Sequence, residues 1–450
     1  MQLWIRTSLS SFLVTALAAS FVEADMPKYA LRVVTDRDDA LYEVGETATF
    51  LVTLSRDGQP VVDGEVKYVV GDFLKLGQDS GFPEGTVPLA EQPARVEVTL
   101  DQPGFLRCEV SYETAEGQTL KNYAGAGFSP LQLEPSLPVP DDFDEYWSEQ
   151  KRLLAEVEMV PVLTPVEQDE AAVVCFDVQV PCLGGAPVSG YLARPAQATP
   201  ETLPAILWMH GAGVRSSSLA NAIQGARAGM LSMDINAHGI PNGRPDEFYS
   251  DLANGELKDY RTAGRESRDT LYFRGMFLRL ARAIEFLTAQ PEWDGQILAV
   301  IGHSQGGGQA LVAGGLDERV TFIATGVPAI CDHSGLAAGR INGWPKLVPE
   351  GEDGLPDPQI LEAARYVDAV NFASRCKADA IMSVGFIDTV CPPSSCYAAF
   401  NVMEGEKEMI NEPLMGHAAP EHIKDAFFQR ILEHVKARRS REQATESKPE

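Results

Sequence analysis

One short segment constrains the fold of this chain more than any other, because it places a strand, a glycine-rich turn and a helix in direct succession. Five apolar residues at 297–301 are followed by Gly-His-Ser-Gln-Gly at 302–306 and by small, helix-compatible residues at 310–313. In such a G-x-S-x-G turn the serine lies on a tight elbow, and the flanking glycines leave room for the backbone to bend. The helix dipole at this turn favours developing negative charge. Ser304 is therefore the predicted nucleophile.

Other apolar runs and helical patterns extend this arrangement over most of the chain. The runs lie at 205–209, 230–233, 322–325 and 380–386, and the predicted helices at 141–157, 276–288 and 421–436. Strands buried on both faces are typical of parallel sheets with helices between the strands. The sequence thus predicts a doubly wound, mostly parallel sheet of the α/β-hydrolase type over 141–437. The charged tail at 438–450 is predicted to be disordered.

The first hundred residues after the N-terminal segment have a different pattern. Short alternating runs at 48–54, 66–70, 94–100 and 105–112 are separated by turn dipeptides such as Asp-Gly and Pro-Gly. Strands with this spacing predict an immunoglobulin-like β-sandwich over 27–128. Four prolines within 129–140 indicate a semi-rigid linker between the two domains.

The N-terminus has the features of an export signal. Arg6 precedes a short apolar stretch at 8–22, and Val-Glu-Ala at 22–24 offers a signal-peptidase site. The stretch is too short for a comfortable membrane span, although an uncleaved anchor stays an alternative. We expect a signal peptide at 1–24, a secreted or periplasmic protein, and no membrane attachment after cleavage.

Composition excludes some partners and leaves others open. The 450 residues carry a formal charge of −27, which repels phosphate backbones, so nucleic acid is not an expected partner. Seven cysteines are an odd number, and their pairing depends on geometry that the sequence does not supply. No spacing of cysteines or histidines resembles a metal site, and we expect neither metal nor cofactor.

The fold order of such hydrolases requires an acid and then a histidine after the serine. Asp388 follows the apolar run at 380–386, where an acid at the carboxyl edge of a strand can reach the elbow. Asp379 precedes that run, at the opposite edge, and Asp332 is a weaker rival. Asp388 is the predicted acid.

His417 occupies the position expected for the catalytic base. It follows a short apolar run at 409–410 and precedes the C-terminal helix. The other histidines fit less well: two lie inside that helix and are expected at the surface, one is expected to pack beside the nucleophile, and one has no motif around it. These four are His422, His434, His303 and His333.

The oxyanion hole requires two backbone N–H groups. Gln305, directly after the nucleophile, supplies the first. The loop after the run at 205–209 begins His-Gly-Ala-Gly, and Ala212 is the predicted second donor. His210 is expected to brace this loop.

Several motifs together resemble carbohydrate esterase family seven, the acetylxylan esterases and cephalosporin-C deacetylases. The resemblance covers about 138–435. The matching motifs are P-x-D-F-x-x-[FY]-W at 140–147, Y-x-R-G followed by R-A at 272–283, G-x-S-Q-G-G at 302–307, D-x-x-C-P-P at 388–393, and Gly-His at 416–417.

The resemblance implies acetyl ester hydrolysis on an acetylated oligo- or polysaccharide, without cofactor, and a possible homo-oligomer. Two family signatures are altered. The loop D-x-R-G-Q-G reads Asp-Ile-Asn-Ala-His-Gly at 234–239, and the usual Glu after the histidine is Ala418. Asn236 and His238 are therefore expected to line a different pocket. With His210 and Arg274 they are the candidate substrate-binding residues.

Two other functions are consistent with the same sequence. One is an esterase or peptidase of this fold that acts on a different acyl substrate. The other is a glycan-binding protein with a vestigial hydrolase domain, which an exposed row of aromatic side chains on the sandwich would favour. The presence of Ser304, Asp388 and His417 argues against the second alternative.

Overall fold

A computed structural model describes residues 29–74 and 80–446, with side chains described as far as 441. The predicted signal peptide at 1–24 lies outside the described residues. Within the described ranges, no helix is both long enough and apolar enough to cross a membrane.

The N-terminal unit consists of two β-sheets that share one core. Its strands are β1 (Tyr29–Thr35), β2 (Leu41–Tyr42), β3 (Thr47–Arg56), β4 (Gln59–Pro60), β5 (Glu65–Gly71), β6 (Glu84–Pro88), β7 (Ala94–Thr99), β8 (Gly104–Glu113) and β9 (Thr119–Phe128). In one sheet β1 and β7 flank β3, and β4 forms a short hairpin with β3. The other sheet has the order β2-β9-β8-β5-β6, with β2 parallel to β9.

Alternating residues of these strands fill the core between the two sheets. Phe50, Val52 and Leu54 of β3 are buried, as are Val98 and Val110 on the strands around them. Successive side chains of a strand point to opposite faces, so every second residue enters the core. The four predicted alternating runs are confirmed as strands. The immunoglobulin-like assignment stays a prediction.

The C-terminal unit is a large mixed sheet with helices on both faces. Its strands are β10 (Val162–Val166), β11 (Val173–Val180), β12 (Val188–Pro195), β13 (Leu203–Met209), β14 (Leu231–Ile235), β15 (Trp293–His303), β16 (Phe322–Gly326), β17 (Asp379–Gly385) and β18 (Lys407–Glu412). Its helices are α1 (Phe143–Ala155), α2 (Leu219–Arg227), α3 (Asp246–Asn254), α4 (Tyr272–Thr288), α5 (Gln305–Leu316), α6 (Pro358–Ala364), α7 (Ala369–Ala373), α8 (Pro393–Val402) and α9 (Glu421–Glu446).

The order of this sheet is β10-β11-β12-β14-β13-β15-β16-β17-β18. Pairing is antiparallel from β10 to β14 and parallel from β14 to β18. The crossovers of a parallel sheet require helices on its faces, and the carboxyl ends of the strands meet at one edge. The predicted α/β architecture with a mostly parallel sheet is therefore what the chain forms.

Both faces of the parallel strands are covered, which explains their continuous apolar runs. Ile206 and Trp208 of β13 pack with Phe427 of α9 on one face. Leu207, between them in sequence, points to the opposite face and packs with residues such as Phe277 of α4. A strand between two helical layers has no polar face, so its sequence shows no alternation.

The proline-rich segment at 129–140 is bound to the C-terminal unit along its length. Asn401 donates hydrogen bonds to the carbonyls of Pro130 and Leu133, at 2.9 and 2.8 Å. The Ser136 hydroxyl donates to Asp332 at 2.8 Å. Prolines leave carbonyl groups without partners inside the segment, and side chains of the C-terminal unit satisfy them. The segment thus differs from the predicted semi-rigid linker, because it is a packed strap.

Helix α9 continues to Glu446, so the prediction of a disordered tail from 438 is wrong up to that residue. The segment at 437–446 consists mainly of Ala, Arg, Glu and Gln, which favour a helix. Arg439 also donates a hydrogen bond to the Thr202 carbonyl at 2.8 Å, which attaches the extension to the body of the protein.

The sandwich and the C-terminal unit pack directly against each other. The ring of Phe105 lies 5.0 Å from the ring of Phe386 and 5.5 Å from that of Tyr397, centroid to centroid. The Gly125 N–H donates to the Pro413 carbonyl at 2.9 Å. A Cβ atom at Gly125 would lie only 2.4 Å from the Cβ of Phe386, so only glycine permits this approach.

We expect Gly125→Ala to lower the free energy of unfolding by about 1–3 kcal/mol, because the added methyl group overpacks this contact. Gly275→Ala, in α4, is the matched control, since a Cβ there would lie 3.6 Å from Arg279 Nη1, an ordinary contact distance. The control should be neutral or raise stability by about 0.5–1 kcal/mol. Urea unfolding measures both variants, and an unchanged midpoint for Gly125→Ala would show that the contact is dispensable.

Candidate active site

The predicted nucleophile lies on a strained turn between β15 and α5. Ser304 has φ 55° and ψ −122°, a conformation that L-residues rarely adopt. A Cβ on Gly302 would lie 2.4 Å from the Gly306 carbonyl carbon, and a Cβ on Gly306 would lie 2.3 Å from the Met209 carbonyl oxygen. Both glycines are therefore required by close approach, and the turn presents Ser304 at the carboxyl edge of the sheet.

Backbone hydrogen bonds hold this conformation in place. The Ser304 N–H donates to the Gly326 carbonyl at 2.9 Å. The Ser304 carbonyl accepts from the N–H groups of Gly308 and Ala329, at 3.0 and 2.9 Å. A strained residue persists only when its surroundings determine it, and here the next strand and the helix do so.

The structure brings Ser304, His417 and Asp388 into one hydrogen-bonded chain. His417 Nε2 lies 2.9 Å from Ser304 Oγ, and His417 Nδ1 lies 2.8 Å from Asp388 Oδ2. Asp388 is fully buried at the end of β17, whereas 27% of the His417 side chain is exposed. This order of groups is the arrangement that activates a serine hydroxyl for attack on a carbonyl carbon.

The other oxygen of Asp388 is already occupied. Oδ1 accepts hydrogen bonds from the N–H groups of Val390 and Cys391, at 2.8 and 3.0 Å. These bonds fix the plane of the carboxylate, so that Oδ2 faces His417. The turn that follows Asp388 therefore orients the carboxylate, and the carboxylate orients His417.

The rival acids lie elsewhere. Asp379 begins β17 at the opposite edge of the sheet, as expected, and its carboxylate lies 3.5 Å from His434. Asp332 forms an ion pair with Arg340 at 3.0 Å and accepts hydrogen bonds from Ser136 in the strap. Neither of them contacts His417.

The remaining histidines have structural partners or are buried. His303 stacks on Phe427 at 5.2 Å, in keeping with the expected packing. His422 is exposed and pairs with Glu412 at 2.7 Å. His434, expected at the surface, is buried and hydrogen-bonds to Thr321 at 3.1 Å, because α9 turns this face onto the sheet. His333 is buried away from the triad.

The loop after β13 lies beside the serine, where the oxyanion hole was predicted. A Cβ on Gly211 would lie 3.6 Å from the Ser304 Cβ. Within the described residues, the N–H groups of Ala212 and Gln305 have no hydrogen-bond acceptor. Both are thus free to donate to a substrate oxygen, and their role as oxyanion donors stays a prediction.

Two of the predicted substrate-binding residues are buried in the loop scaffold. Asn236 is 1% exposed, and its side chain bonds within its own loop, to the backbone of His238 and Ile240 and to Asn242. His238 is 3% exposed and lies between Tyr272 and Gly213. The expectation that they line a pocket is wrong, because short polar side chains at this turn satisfy buried backbone groups instead.

His210 braces the loop, as expected for it. Its Nε2 accepts from the Ala237 N–H at 3.3 Å, and its Nδ1 lies 2.6 Å from the Gly211 carbonyl. Burial lowers the pKa of His210 to about 4 and that of His238 to about 3. Both rings are neutral at neutral pH, which suits hydrogen bonding more than proton transfer.

Arg274 also differs from the prediction of substrate binding. Its Nε donates to Gln150 Oε1 at 2.8 Å, and its Nη1 donates to the Asp269 carbonyl at 3.4 Å. The guanidinium thereby joins α4 to α1. Gln150 precedes it by 124 residues, so the sequence holds no signal for this pairing.

Sequence reasoning missed Tyr260, which contacts the Gln305 side chain and Gly213, the residue after Ala212. Its hydroxyl donates to Gln305 Oε1 at 3.0 Å and accepts from the Gly213 N–H at 3.3 Å. Tyr260 belongs to an irregular segment between α3 and α4 without a motif. Tyr272, its neighbour, was visible only as the first residue of Y-x-R-G.

One group of side chains near the serine has ligand atoms suited to a metal. A carboxylate oxygen of Asp388, the thiol sulfur of Cys391 and a ring nitrogen of His417 lie within 4.8 Å of one another. Burial raises the pKa of the Cys391 thiol well above its usual value. A protonated thiol binds metal poorly, and Asp388 and His417 already bond to each other. The set fits a triad better than a metal centre.

The chain is similar in sequence to known acetyl esterases. A family model described as acetyl xylan esterase (AXE1) matches residues 131–434. Acetyl esterase Axe7A of Xylanibacter ruminicola is 30% identical over 414 residues, which is 90% of this chain and 90% of that protein. This match extends over more residues than follow Phe128, so it includes part of the sandwich.

Two solved structures are similar in fold. The acetyl xylan esterase from Paenibacillus sp. R4 is 27% identical, with a TM-score of 0.58 over 67% of this chain and 97% of that chain. Acetyl xylan esterase 1 from Thermoanaerobacterium sp. JW/SL YS485 is 24% identical, with a TM-score of 0.54 over 68% and 97%. Both are α/β-hydrolase folds, and both leave roughly a third of this chain unmatched.

We expect Ser304→Ala to reduce turnover of a p-nitrophenyl ester by a factor on the order of 10⁶, because the loss of the nucleophile alone has this effect in comparable hydrolases. Labelling by a fluorophosphonate probe should disappear as well. Ser383→Ala is the matched control, since its buried hydroxyl in β17 has no partner among the described residues. Continued labelling of Ser304→Ala would assign the nucleophile to another residue.

Proposed function

We propose, from the premise that this chain belongs to the acetyl xylan esterase family, that it is an exported serine esterase with Ser304, His417 and Asp388 as its triad. The family match over 131–434 makes the chain a carboxylic ester hydrolase that acts on carbohydrate acetyl groups. The observation that carries the mechanism is the hydrogen-bonded chain of 2.9 and 2.8 Å from serine to histidine to acid.

In the acylation step His417 Nε2 takes the proton of Ser304 Oγ as that oxygen attacks the acetyl carbonyl carbon. The carbonyl oxygen becomes an oxyanion, which accepts hydrogen bonds from the N–H groups of Ala212 and Gln305. The bond from carbon to the sugar oxygen then breaks. The sugar alcohol leaves with the proton that His417 held, and the acetyl group stays on Ser304.

In the deacylation step water replaces the sugar alcohol. His417 takes a proton from the water, whose oxygen attacks the acetyl-enzyme, and returns that proton to Ser304 Oγ as acetate leaves. Asp388 fixes the tautomer with the proton on Nδ1 and stabilises the imidazolium cation in both steps. Its burial and its two backbone N–H partners keep it in that orientation.

Export suits a substrate that is a polymer outside the cell. The support is the sequence of the N-terminal segment, with Arg6, the apolar stretch at 8–22 and the small residue Ala24. An enzyme for acetylated polysaccharide reaches a polymer outside the cell only if it leaves the cytoplasm. The location is therefore secreted or periplasmic.

We also assign the N-terminal unit to the immunoglobulin-like sandwiches, on the basis of its strand order. The first two strands belong to different sheets. β1 pairs with β3 in one sheet, and β2 runs parallel to β9 in the other. No aromatic side chain is exposed in the described parts of this unit, 29–74 and 80–128. The aromatic side chains of these parts are buried or only partly exposed, which favours a packing role over glycan binding.

The rival functions gain no support from any described feature. A vestigial hydrolase would not need the aligned hydrogen bonds of Ser304, His417 and Asp388. A peptidase of the same fold would use the same triad, but the family match is to acetyl xylan esterase. Deacetylation of carbohydrate is the function that the residues and the relatives favour together.

We expect the purified protein to release acetate from acetylated xylo-oligosaccharides and from p-nitrophenyl acetate, measured with an enzymatic acetate assay. Ser304→Ala provides the background rate. Hydrolysis of p-nitrophenyl acetate without acetate release from any acetylated oligosaccharide would contradict the carbohydrate assignment. Failure on both substrates would contradict the esterase assignment.

Export is tested separately by expressing the full chain in a Gram-negative host. The mature protein should be found outside the cytoplasm and begin at Asp25, the residue after the predicted cleavage site. Leu13→Arg should retain the precursor, because a charge disrupts the apolar stretch. N-terminal sequencing that finds Met1 on exported protein would favour the uncleaved anchor instead.

A further inference from the structure

We propose that Tyr260 and His238 are positioning residues that clamp Gly213 and thereby aim the oxyanion donor of Ala212. This inference rests on the proposed function, since it concerns the same reaction. It assigns a role to His238 in the altered loop at 234–239 and to a tyrosine outside every motif.

The clamp grips Gly213 through both of its backbone groups. The Gly213 N–H donates to the Tyr260 hydroxyl oxygen at 3.3 Å. The Gly213 carbonyl lies 3.3 Å from His238 Nε2 and accepts its N–H. The peptide bond between Ala212 and Gly213 is thus held on its C-terminal side, one residue from the proposed donor.

The tautomer of His238 follows from its two hydrogen-bond partners. His238 Nδ1 lies 2.7 Å from the Tyr272 hydroxyl, which donates to it. Because the Gly213 carbonyl can only accept, the ring proton is on Nε2, and Nδ1 is left to accept the proton of Tyr272. Burial keeps this ring neutral, with a pKa of about 3. Tyr272 therefore supports the clamp through His238.

The same Tyr260 hydroxyl reaches the other half of the oxyanion hole. It donates its proton to Gln305 Oε1 at 3.0 Å, and the Gln305 N–H is the second proposed donor. The amide nitrogen of the same side chain, Gln305 Nε2, is buried and has no hydrogen-bond partner among the described residues. One hydroxyl group thereby joins the loop after β13 to the first residue of α5.

The three rings are packed tightly enough to act as one unit. Centroids lie 4.7 Å apart for His238 and Tyr260, 5.5 Å for Tyr260 and Tyr272, and 5.8 Å for His238 and Tyr272. Tyr260 and His238 are 4% and 3% exposed. Because both rings are buried, the oxygen and nitrogen that hold Gly213 have little freedom to move.

The loop needs such support because its own sequence is permissive. Ala212 lies between two glycines, and Gly213 has φ +122°, which glycine adopts without cost. Apart from the clamp, Arg215 donates to the Ala212 carbonyl, but that side chain is exposed. Oxyanion stabilisation depends on donors that are oriented before the reaction, so a loose loop would weaken the transition state more than substrate binding.

We expect Tyr260→Phe to lower kcat about 10- to 100-fold, less than the loss of an entire donor, with little change in KM. The variant keeps the ring and removes only the hydroxyl. Tyr366→Phe is the matched control, because it removes a tyrosine hydroxyl that bonds to Asp142 on a different part of the protein. Rates on p-nitrophenyl acetate are divided by the concentration of sites that react with a fluorophosphonate probe.

A second readout separates positioning from a general loss of structure. The affinity for a methyl trifluoromethyl ketone, which forms a tetrahedral oxyanion on the serine, should fall by the same factor as kcat. Inhibition by acetate should not change. A merely structural role would lower the melting temperature and the number of labelled sites, but it would leave kcat per labelled site unchanged.

Two further variants test the connections. Tyr272→Phe should lower kcat in the same direction, because His238 then loses its hydrogen bond at Nδ1. Gln305→Leu combined with Tyr260→Phe should cost no more than Tyr260→Phe alone, since Tyr260→Phe already removes the contact to Gln305 together with the one to Gly213. Additive losses would show that Tyr260 does not act through Gln305.

Each outcome assigns the failure to one proposal. An active wild-type protein with unchanged kcat in Tyr260→Phe and Tyr272→Phe would overturn the clamp and leave the esterase function intact. A wild-type protein that neither reacts with the probe nor hydrolyses acetyl esters would overturn the proposed function and the clamp with it. Loss of ketone affinity without loss of acetate inhibition supports the clamp.

Discussion

The strained elbow at Ser304 is the constraint on which the rest of the site depends. Its positive φ lifts the hydroxyl above the sheet, and that geometry is possible only because Gly302 and Gly306 admit backbone atoms at distances no side chain permits. The same close approach brings the loop after β13 to the serine. The positions of both proposed oxyanion donors, and of the histidine that hydrogen-bonds to Oγ, depend on this one turn.

The sequence was most informative where chemistry and fold order act together. Ser304, Asp388 and His417 each follow a strand and precede a helix, in the only order that the fold allows, so short motifs sufficed to select them. The parallel strands were equally visible, because a strand with two buried faces has no polar positions. In both cases the signal is local, and the tertiary structure preserves it.

Where the sequence misled, a polar side chain was buried among partners that no motif predicts. Asn236 and His238 were expected to line a pocket because they stand in the altered family loop, yet both satisfy buried backbone groups. Arg274 bonds to Gln150, and Tyr260 acts from an irregular segment. No periodicity or motif encodes such pairs, since they depend on which groups folding buries together.

The contact of Phe105 and Gly125 with Phe386 and Pro413 changes what the N-terminal sandwich is to this enzyme. Phe386 lies just before Asp388, and Pro413 lies just before His417. The sandwich therefore packs against the loops that carry the acid and the histidine. An accessory domain on a flexible linker can be replaced without effect on its neighbour. Here a chimaera joined at the strap would lose the packing of the sandwich against the loops that carry Asp388 and His417, and it would expose the apolar surface behind them.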